Sequence, residues 1–328
     1  MSPRRERRRP PAPVVPAPLR RGDTVAVLAP GFPARDERAL WRGIRRLEAW
    51  GLRARLGDSV ARRWGYFAAT DPERARDLQA AINDPGVRGI LFARGGWGTS
   101  RILERVDLSA LRSDPKVVIG YSDLTVLFTE LWGVCGLVCG YGPVVSELGL
   151  PSAFHARSLR RALFRPGAPI ALKVPRDSVL SAGTRARSYG GRRSQPAGIA
   201  EGRLLGGCLT LLAHLCGSGR LPDFRGSVLF VEEVQEEPYR VDRMLCQLRM
   251  AGVLKGVAAV LVGSMTRCAP RRGMTSFSIR EVLADHLGKL DVPVLLDIPA
   301  GHGPGKWTLP LGFTARVDAG AGRVTLSP

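Results

Sequence analysis

Lys116-Val-Val-Ile-Gly-Tyr-Ser-Asp-Leu-Thr125 runs an apolar strand into a serine and then straight into a helical pattern. At such a turn Ser122 can hold its hydroxyl clear of the backbone while the next amides point at whatever it attacks. That is the geometry a serine hydrolase needs. The same residues also suit a plainer role. Ser122 or Asp123 could cap the helix expected over 123–132 by accepting from its first amides. Gly120-Tyr-Ser-Asp-Leu124 is only a partial nucleophile elbow, because the final glycine of that motif is missing.

Upstream of this segment the pattern alternates strand and helix. Thr24-Val-Ala-Val-Leu-Ala-Pro30 reads as a buried strand ending in Pro30-Gly31, followed by a helix over 36–50 with Leu40, Ile44 and Leu47 at helical spacing. Asp71-Pro72-Glu73 reads as a cap, a first-turn proline and an acid, and so starts a second helix. Val87-Arg-Gly-Ile-Leu-Phe-Ala93 is the next strand and ends in Arg94-Gly-Gly-Trp-Gly98; a further strand is expected over 136–140. This alternation predicts a mostly parallel sheet flanked by helices, with the active crevice beyond the carboxyl ends of the strands. The Pro-Gly, Arg-Gly-Gly and Gly-Tyr-Ser segments all fall at such ends.

From about 165 to 200 the pattern breaks, and Pro166-Gly167, Pro169 and Ser188–Pro196 read as linker and loop. A second unit follows, with helices expected over 206–216, 239–251 and 279–289. Strands are expected over 227–233, 256–263 and 293–298, and two short β segments close the chain. The expected organisation is a disordered basic tail over 1–20, a first domain over 21–165, a linker and variable loop over 166–197, and a second domain over 198–328.

The chain has 328 residues, 45% of them apolar and 24% charged, which is enough for two cored domains of an ordinary globular protein. No apolar run approaches the roughly 18–20 residues of a membrane span. The arginine-rich start leads into prolines and alanines and not into a signal core, so a cytoplasmic protein is expected. The net charge is +20, and only five of the 49 basic residues are lysines. Such an excess favours acidic partners, but the arginines are scattered and no recognition fold surrounds them, so specific nucleic-acid binding is not expected. Six cysteines without a C-x-x-C pair read as buried free thiols. Four histidines without an H-x-x-x-H pair argue against a metal site.

In the second unit Glu232 and Glu233 end an otherwise apolar strand, where a carboxylate is costly unless exposed or paired. Glu236 and Glu237 follow, so a solvated acidic turn also accounts for them. His302 lies among glycines just after a strand, on a loop able to reach across a cleft. Ser122, Glu232 and His302 would make a nucleophile, an orienting acid and a general base. Ala300-Gly-His-Gly-Pro-Gly-Lys-Trp307 resembles a phosphate-binding loop. It fails as one, because Ala300 stands where the first glycine belongs and Trp307 where the hydroxyl residue belongs.

Taken in order, seven segments resemble the LD-carboxypeptidases of serine peptidase family S66, which include murein-recycling and microcin-immunity peptidases. They are Val25–Pro30, Arg94–Gly98, Ile119–Thr125, Gly202–Leu212, Leu229–Val234, Tyr239–Leu248 and Gly301–Gly312, and they span nearly the whole ordered chain. The resemblance implies an α/β protein with a Rossmann-like N-terminal domain and a smaller C-terminal domain with a β-barrel-like core. It implies a Ser122–Glu232–His302 triad, with Glu233 as the alternative acid, and an oxyanion hole from the backbone amides of Gly96 and Asp123. It implies no metal and no cofactor, a small peptide substrate and a homodimer. The expected reaction is release of the terminal D-alanine from murein tetrapeptide. The microcin-immunity branch, which cleaves amides to nucleotide-like groups, is the rival reading, and the only aromatic in the 176–196 loop able to stack on a base is Tyr189. A degenerate fold used only for binding is a third reading. Two positions depart from the family pattern: Trp97 stands where tyrosine is frequent and Cys208 where asparagine is common.

Overall fold

The apolar runs that lead into Pro30-Gly31, Arg94-Gly-Gly and Gly120-Tyr-Ser are strands. The computed structural model describes residues 12–151, 153–183 and 198–328, which divide into two units. The first holds residues 12–168 with Gly305–Pro310, and the second holds Pro169–Pro304 with Leu311–Pro328.

In the first unit, β1 (Thr24–Leu28), β2 (Arg53–Leu56), β3 (Val87–Phe92), β4 (Val117–Gly120) and β5 (Cys139–Tyr141) are parallel. They lie in the spatial order β5-β4-β3-β1-β2. Strand order therefore reverses between β1 and β3, and ligands of such sheets bind beyond the strand ends at the reversal. The turns leaving β1 and β3 are the Pro-Gly and Arg-Gly-Gly segments. Helices α1 (Glu37–Ala49), α2 (Asp71–Asn83), α3 (Thr99–Ile102), α4 (Thr125–Cys135), α5 (Val145–Leu148) and α6 (Ala153–Phe164) complete the unit. Leu40, Ile44 and Leu47 of α1 pack with Val25 and Val27 of β1 and with Leu159 and Leu163 of α6 in one core. Helix α1 is capped by Asp36, which accepts from the Ala39 amide at 3.0 Å.

Two expectations change here. Asp71 is not the cap of α2. Thr70 is, and the Glu73 carboxylate reaches back to the Thr70 amide at 3.0 Å and its hydroxyl at 2.6 Å. Asp71 instead pairs with Arg74 and Arg101. The disordered tail expected over 1–20 also fails for residues 14–20. Residues 1–11 lie outside the described residues, but Val14 exchanges backbone hydrogen bonds with Gly136 (2.8 Å) and Val138 (2.9 Å), and Leu19 is buried.

The second unit contains β6 (Ile170–Lys173), β7 (Val179–Ser181), β8 (Ile199–Cys208), β9 (Val228–Val234), β10 (Ala259–Thr266) and β11 (Val294–Leu295), with helices α7 (Leu209–His214), α8 (Pro238–Met250) and α9 (Ile279–Leu287). After β11 the chain forms β12 (Leu309–Leu311), which joins the sheet of the first unit beside β5. It closes with β13 (Thr314–Asp318) and β14 (Arg323–Ser327). The eight-stranded order is β6-β14-β13-β8-β9-β10-β11-β7, parallel from β8 to β11 and antiparallel on both flanks. The ten residues of β8 serve both halves of this curled sheet. Ile199–Arg203 pair with β13, and Leu204–Cys208 pair with β9.

The helix expected from 206 starts only at Leu209, because Gly206 and Gly207 are strand residues. A Cβ on Gly206 would lie 1.9 Å from the Phe230 carbonyl oxygen, and its φ is +136°, so only glycine allows this approach. Part of the loop expected over 176–196 is ordered, as a turn at Arg176–Ser178 and then β7, whereas Tyr189 lies outside the described residues. Among the described residues no helix is long and apolar enough to cross a membrane.

Candidate active site

Ser122 follows a strand whose four residues are all buried. Tyr121 is extended, and Ser122 then turns to φ +64°. A non-glycine residue in this region is strained by about 1–2 kcal/mol, and such strain is concentrated at functional turns. The conformation also removes the capping reading of this serine. An N-cap residue is extended and accepts from the helix amides, whereas Ser122 is left-handed and opens a 3-10 turn, and α4 starts at Thr125 without a side-chain cap. The elbow is tightened by its neighbours. A Cβ on Gly95 would lie 3.1 Å from the Ser122 Cβ, and one on Gly120 would lie 2.7 Å from the Phe92 ring. The Ser122 amide donates to the Tyr141 hydroxyl at 3.2 Å. No glycine is needed two residues after the serine, because Leu124 occupies that position fully buried.

Gly96 lies in the turn after β3 at φ +127°, and a Cβ there would meet the Phe32 ring at 2.6 Å. Asp123 follows the serine and is buried. Its Oδ2 accepts from the Thr99 amide at 2.9 Å and the Thr99 hydroxyl at 2.6 Å. Burial pushes the Asp123 carboxyl above its ordinary range, against the pull of those hydrogen bonds and of Arg74.

In the second unit the structure brings Glu232 and His302 together. His302 Nδ1 lies 2.7 Å from Glu232 Oε2, and the His302 backbone amide donates to the same oxygen at 3.0 Å. Glu232 has no exposed surface, and the His302 side chain is 15% exposed. A carboxylate facing Nδ1 fixes the proton on that nitrogen and leaves Nε2 as the one able to accept a proton. The loop is held by Ser264, whose hydroxyl donates to the Ala300 carbonyl at 3.1 Å and accepts from the Gly303 amide at 2.8 Å.

Glu233 is engaged elsewhere. It accepts from the Thr210 amide (2.7 Å), the Thr210 hydroxyl (2.8 Å) and the Val234 amide (2.8 Å), and burial pushes its carboxyl up. The partner of His302 is therefore Glu232, and the acidic-turn reading does not describe either residue. Cys208 is buried with its sulfur 3.8 Å from both Glu233 oxygens, and burial raises its thiol well above the ordinary range. All six cysteines are free thiols.

Gly301 has φ +98°, and a Cβ there would lie 2.4 Å from Glu232 Oε2. Gly301→Ala is expected to disrupt the Glu232–His302 pair and to lower stability by about 1–3 kcal/mol. Proton NMR would read this as loss of the low-field Nδ1–H resonance. Gly305→Ala is the control, because a Cβ at Gly305 meets nothing within 4 Å and the resonance should persist.

Sequence reasoning missed the burial of Lys116, Arg74 and Lys306, and the last two touch the turns around the proposed site. Arg74, with no exposed side-chain surface, reads in an amphipathic helix as an ordinary surface arginine. Lys306, the lysine of the apparent phosphate loop, is buried beside Glu147 at 2.7 Å and lies 4.0 Å over the Tyr121 ring. Glu147 also accepts from the Tyr121 hydroxyl at 2.9 Å. Neither cation carries a sequence signal, because each is decided by long-range packing. Among the described residues no group of three or more His, Cys, Asp or Glu is placed to hold a metal ion.

Known proteins resemble this chain along most of its length. The LD-carboxypeptidase N-terminal domain profile matches residues 25–142, and the LD-carboxypeptidase C-terminal domain profile matches residues 201–317. The chain is 35% identical over 313 residues to the "Probable murein peptide carboxypeptidase" of Bacillus subtilis, covering 92% of this chain and 91% of that one. It is 31% identical over 296 residues to the murein tetrapeptide carboxypeptidase of Pseudomonas aeruginosa, covering 90% and 92%. The fold superposes on the structure of MccF in complex with glutamyl sulfamoyl guanosine with a TM-score of 0.83 at 25% identity, covering 96% of this chain and 99% of that one. A two-domain profile match across most of the chain, on a fold that sets a strained serine at a strand end and pairs a buried glutamate with a loop histidine, places this protein in the LD-carboxypeptidase family S66.

Proposed function

We propose that this protein is a serine-type LD-carboxypeptidase that releases the terminal D-alanine of cytoplasmic murein tetrapeptide. The observation that carries the reading is the Glu232–His302 pair, in which both the ring and the backbone of the histidine are held by one buried carboxylate oxygen. In this reading His302 Nε2 takes the Ser122 proton as Oγ attacks the carbonyl between the L-configured centre and the D-residue. Glu232 keeps the tautomer and stabilises the imidazolium. The amides of Gly96 and Asp123 receive the developing oxyanion, and each such donor is worth roughly 3 kcal/mol in comparable hydrolases. His302 then protonates the leaving amine, the D-residue departs, and water activated by the same base hydrolyses the acyl-enzyme on Ser122. A homodimer in the cytoplasm is part of the proposal.

The likeness to MccF supports a second reading with the same catalytic groups and an amide attached to a nucleotide-like group. Incubation with L-Ala–D-Glu–meso-diaminopimelate–D-Ala, followed by mass spectrometry, is expected to show loss of D-alanine. Cleavage of an aminoacyl sulfamoyl nucleoside with the tetrapeptide left intact would replace the first reading by the second.

A further inference from the structure

We propose that the Asp123 side chain is a positioning residue that holds the Gly96 turn in register with the Ser122 turn, with Arg74 tying the adjoining loops together. The inference rests on the hydrolase reading above and assigns a task to two buried polar side chains that it leaves unused. Three loops meet in the first unit at the ends of β1, β3 and β4. A Cβ on Gly31 would lie 2.7 Å from Asp123 Oδ2 and 2.8 Å from the Trp97 carbonyl oxygen, so the three chains are in direct contact. Asp123 Oδ2 binds both the amide and the hydroxyl of Thr99, three residues after Gly96. The Arg74 guanidinium, which also pairs with Asp71, donates to the carbonyls of Pro30, Gly98 (3.1 Å) and Ala69 (3.0 Å), and so joins the first two loops.

Burying a carboxyl is costly, and the two bonds to Thr99 are what this one holds in return. Helix α4 does not need it, since Asp123 lies before its N-cap at Leu124. What the arrangement accomplishes is geometric. In the reading above the Asp123 amide is one oxyanion donor, and its side chain binds Thr99 in the turn that carries the other. Two donors set by one residue keep their separation as the transition state forms, and a displacement of about 1 Å in such a site lowers rate by about 10²-fold.

The test compares wild type with Asp123→Ala, Asp123→Asn and Thr99→Val, each checked for a native melt. With tetrapeptide, Asp123→Ala should lower kcat about 10²-fold with KM within about threefold. Asp123→Asn should recover to within about tenfold of wild type, because its amide oxygen can still accept from Thr99. Thr99→Val, which keeps the amide and loses the hydroxyl, should lie about tenfold below wild type and carries the test if Asp123→Ala does not fold. A folded Asp123→Ala or Thr99→Val with unchanged kcat, or an Asp123→Asn as poor as Asp123→Ala, overturns the proposal. A fluorophosphonate separates it from the substrate reading. Ser122 Oγ bonds to phosphorus, the P–F bond breaks, fluoride leaves and the serine proton passes to the base. If wild type is labelled but leaves the tetrapeptide intact, the substrate reading falls, and the labelling rates of the same variants decide the proposal by the same ratios. Absence of labelling in wild type overturns both.

Discussion

Ser122→Ala should abolish D-alanine release, with kcat falling by about 10⁵–10⁶ and the melt unchanged or slightly altered. The magnitude follows from removing the attacking atom, which in serine peptidases costs about 10⁶ even when the rest of the machinery is intact, or about 8 kcal/mol of barrier. The backbone supplies a second, independent check. Ser122 has φ +64°, where any side chain with a Cβ is strained by about 1–2 kcal/mol. Alanine keeps that strain and glycine removes it, while glycine adds about 0.5–1 kcal/mol of unfolded-state entropy. Ser122→Gly should therefore be equally inactive and at least as stable as Ser122→Ala in denaturant melts. A glycine variant clearly less stable than the alanine variant would mean that the serine is not held in the left-handed turn. An alanine variant that still releases D-alanine at more than about a hundredth of the wild-type rate would remove Ser122 from the chemistry.

The parts of this site that were legible in the sequence are those fixed by local backbone chemistry. Pro30-Gly31, Gly95-Gly96 and Gly120 announce turns at the ends of buried apolar runs, and a parallel α/β sheet places such turns at one edge. The serine between an apolar strand and a helical pattern was visible, but its local reading allowed a cap as well as a nucleophile. Its φ removes the cap and leaves the nucleophile as the reading to be tested. The acid was narrowed to two neighbours, and the choice needed three-dimensional partners. Glu232 meets His302, while Glu233 turns to Thr210. Strand side chains alternate faces, so adjacent glutamates are bound to point apart, yet nothing local says which faces the histidine.

The misreadings have physical causes of the same kind. Gly206-Gly-Cys-Leu-Thr-Leu-Leu212 is a short apolar run without a clear period, and such runs do not tell a buried strand from a helix. The close approach of Gly206 to the Phe230 carbonyl keeps it in β8 as far as Cys208. Asp71 looked like a helix cap because it precedes a proline, but the stronger arrangement uses Thr70 with Glu73 and leaves Asp71 for Arg74 and Arg101. The return of Leu309–Leu311 to the first sheet is a pairing between segments far apart in sequence, and three residues carry no local signal for it. Arg74 and Thr99 were invisible because their significance comes from which loops they touch.

Glu232→Ala should lower kcat by about 10⁴ and leave KM nearly unchanged, because the orienting acid acts on the base and does not touch substrate. The local geometry refines this for the glutamine variant. Both bonds from His302, the ring Nδ1–H and the backbone N–H, end on the same oxygen. The backbone donor cannot reverse its polarity, so glutamine is driven to place its carbonyl oxygen there and its NH₂ at the other position. In that orientation the ring keeps its proton on Nδ1, and what is lost is the negative charge that stabilises the imidazolium. A hydrogen bond to a charged group exceeds a neutral one by about 1–2 kcal/mol, so Glu232→Gln should fall only about 5–30-fold below wild type. Alanine removes orientation and charge together, and it leaves the His302 amide without its acceptor in a buried setting, which adds a stability loss of about 1–3 kcal/mol. The ordering wild type, glutamine and then alanine, separated by kcat and not by KM, is what a tautomer-fixing acid predicts. If glutamine is as damaging as alanine, the backbone amide does not set the amide orientation. If neither variant loses more than about tenfold in kcat, Glu232 is a structural carboxylate and His302 acts without an orienting acid.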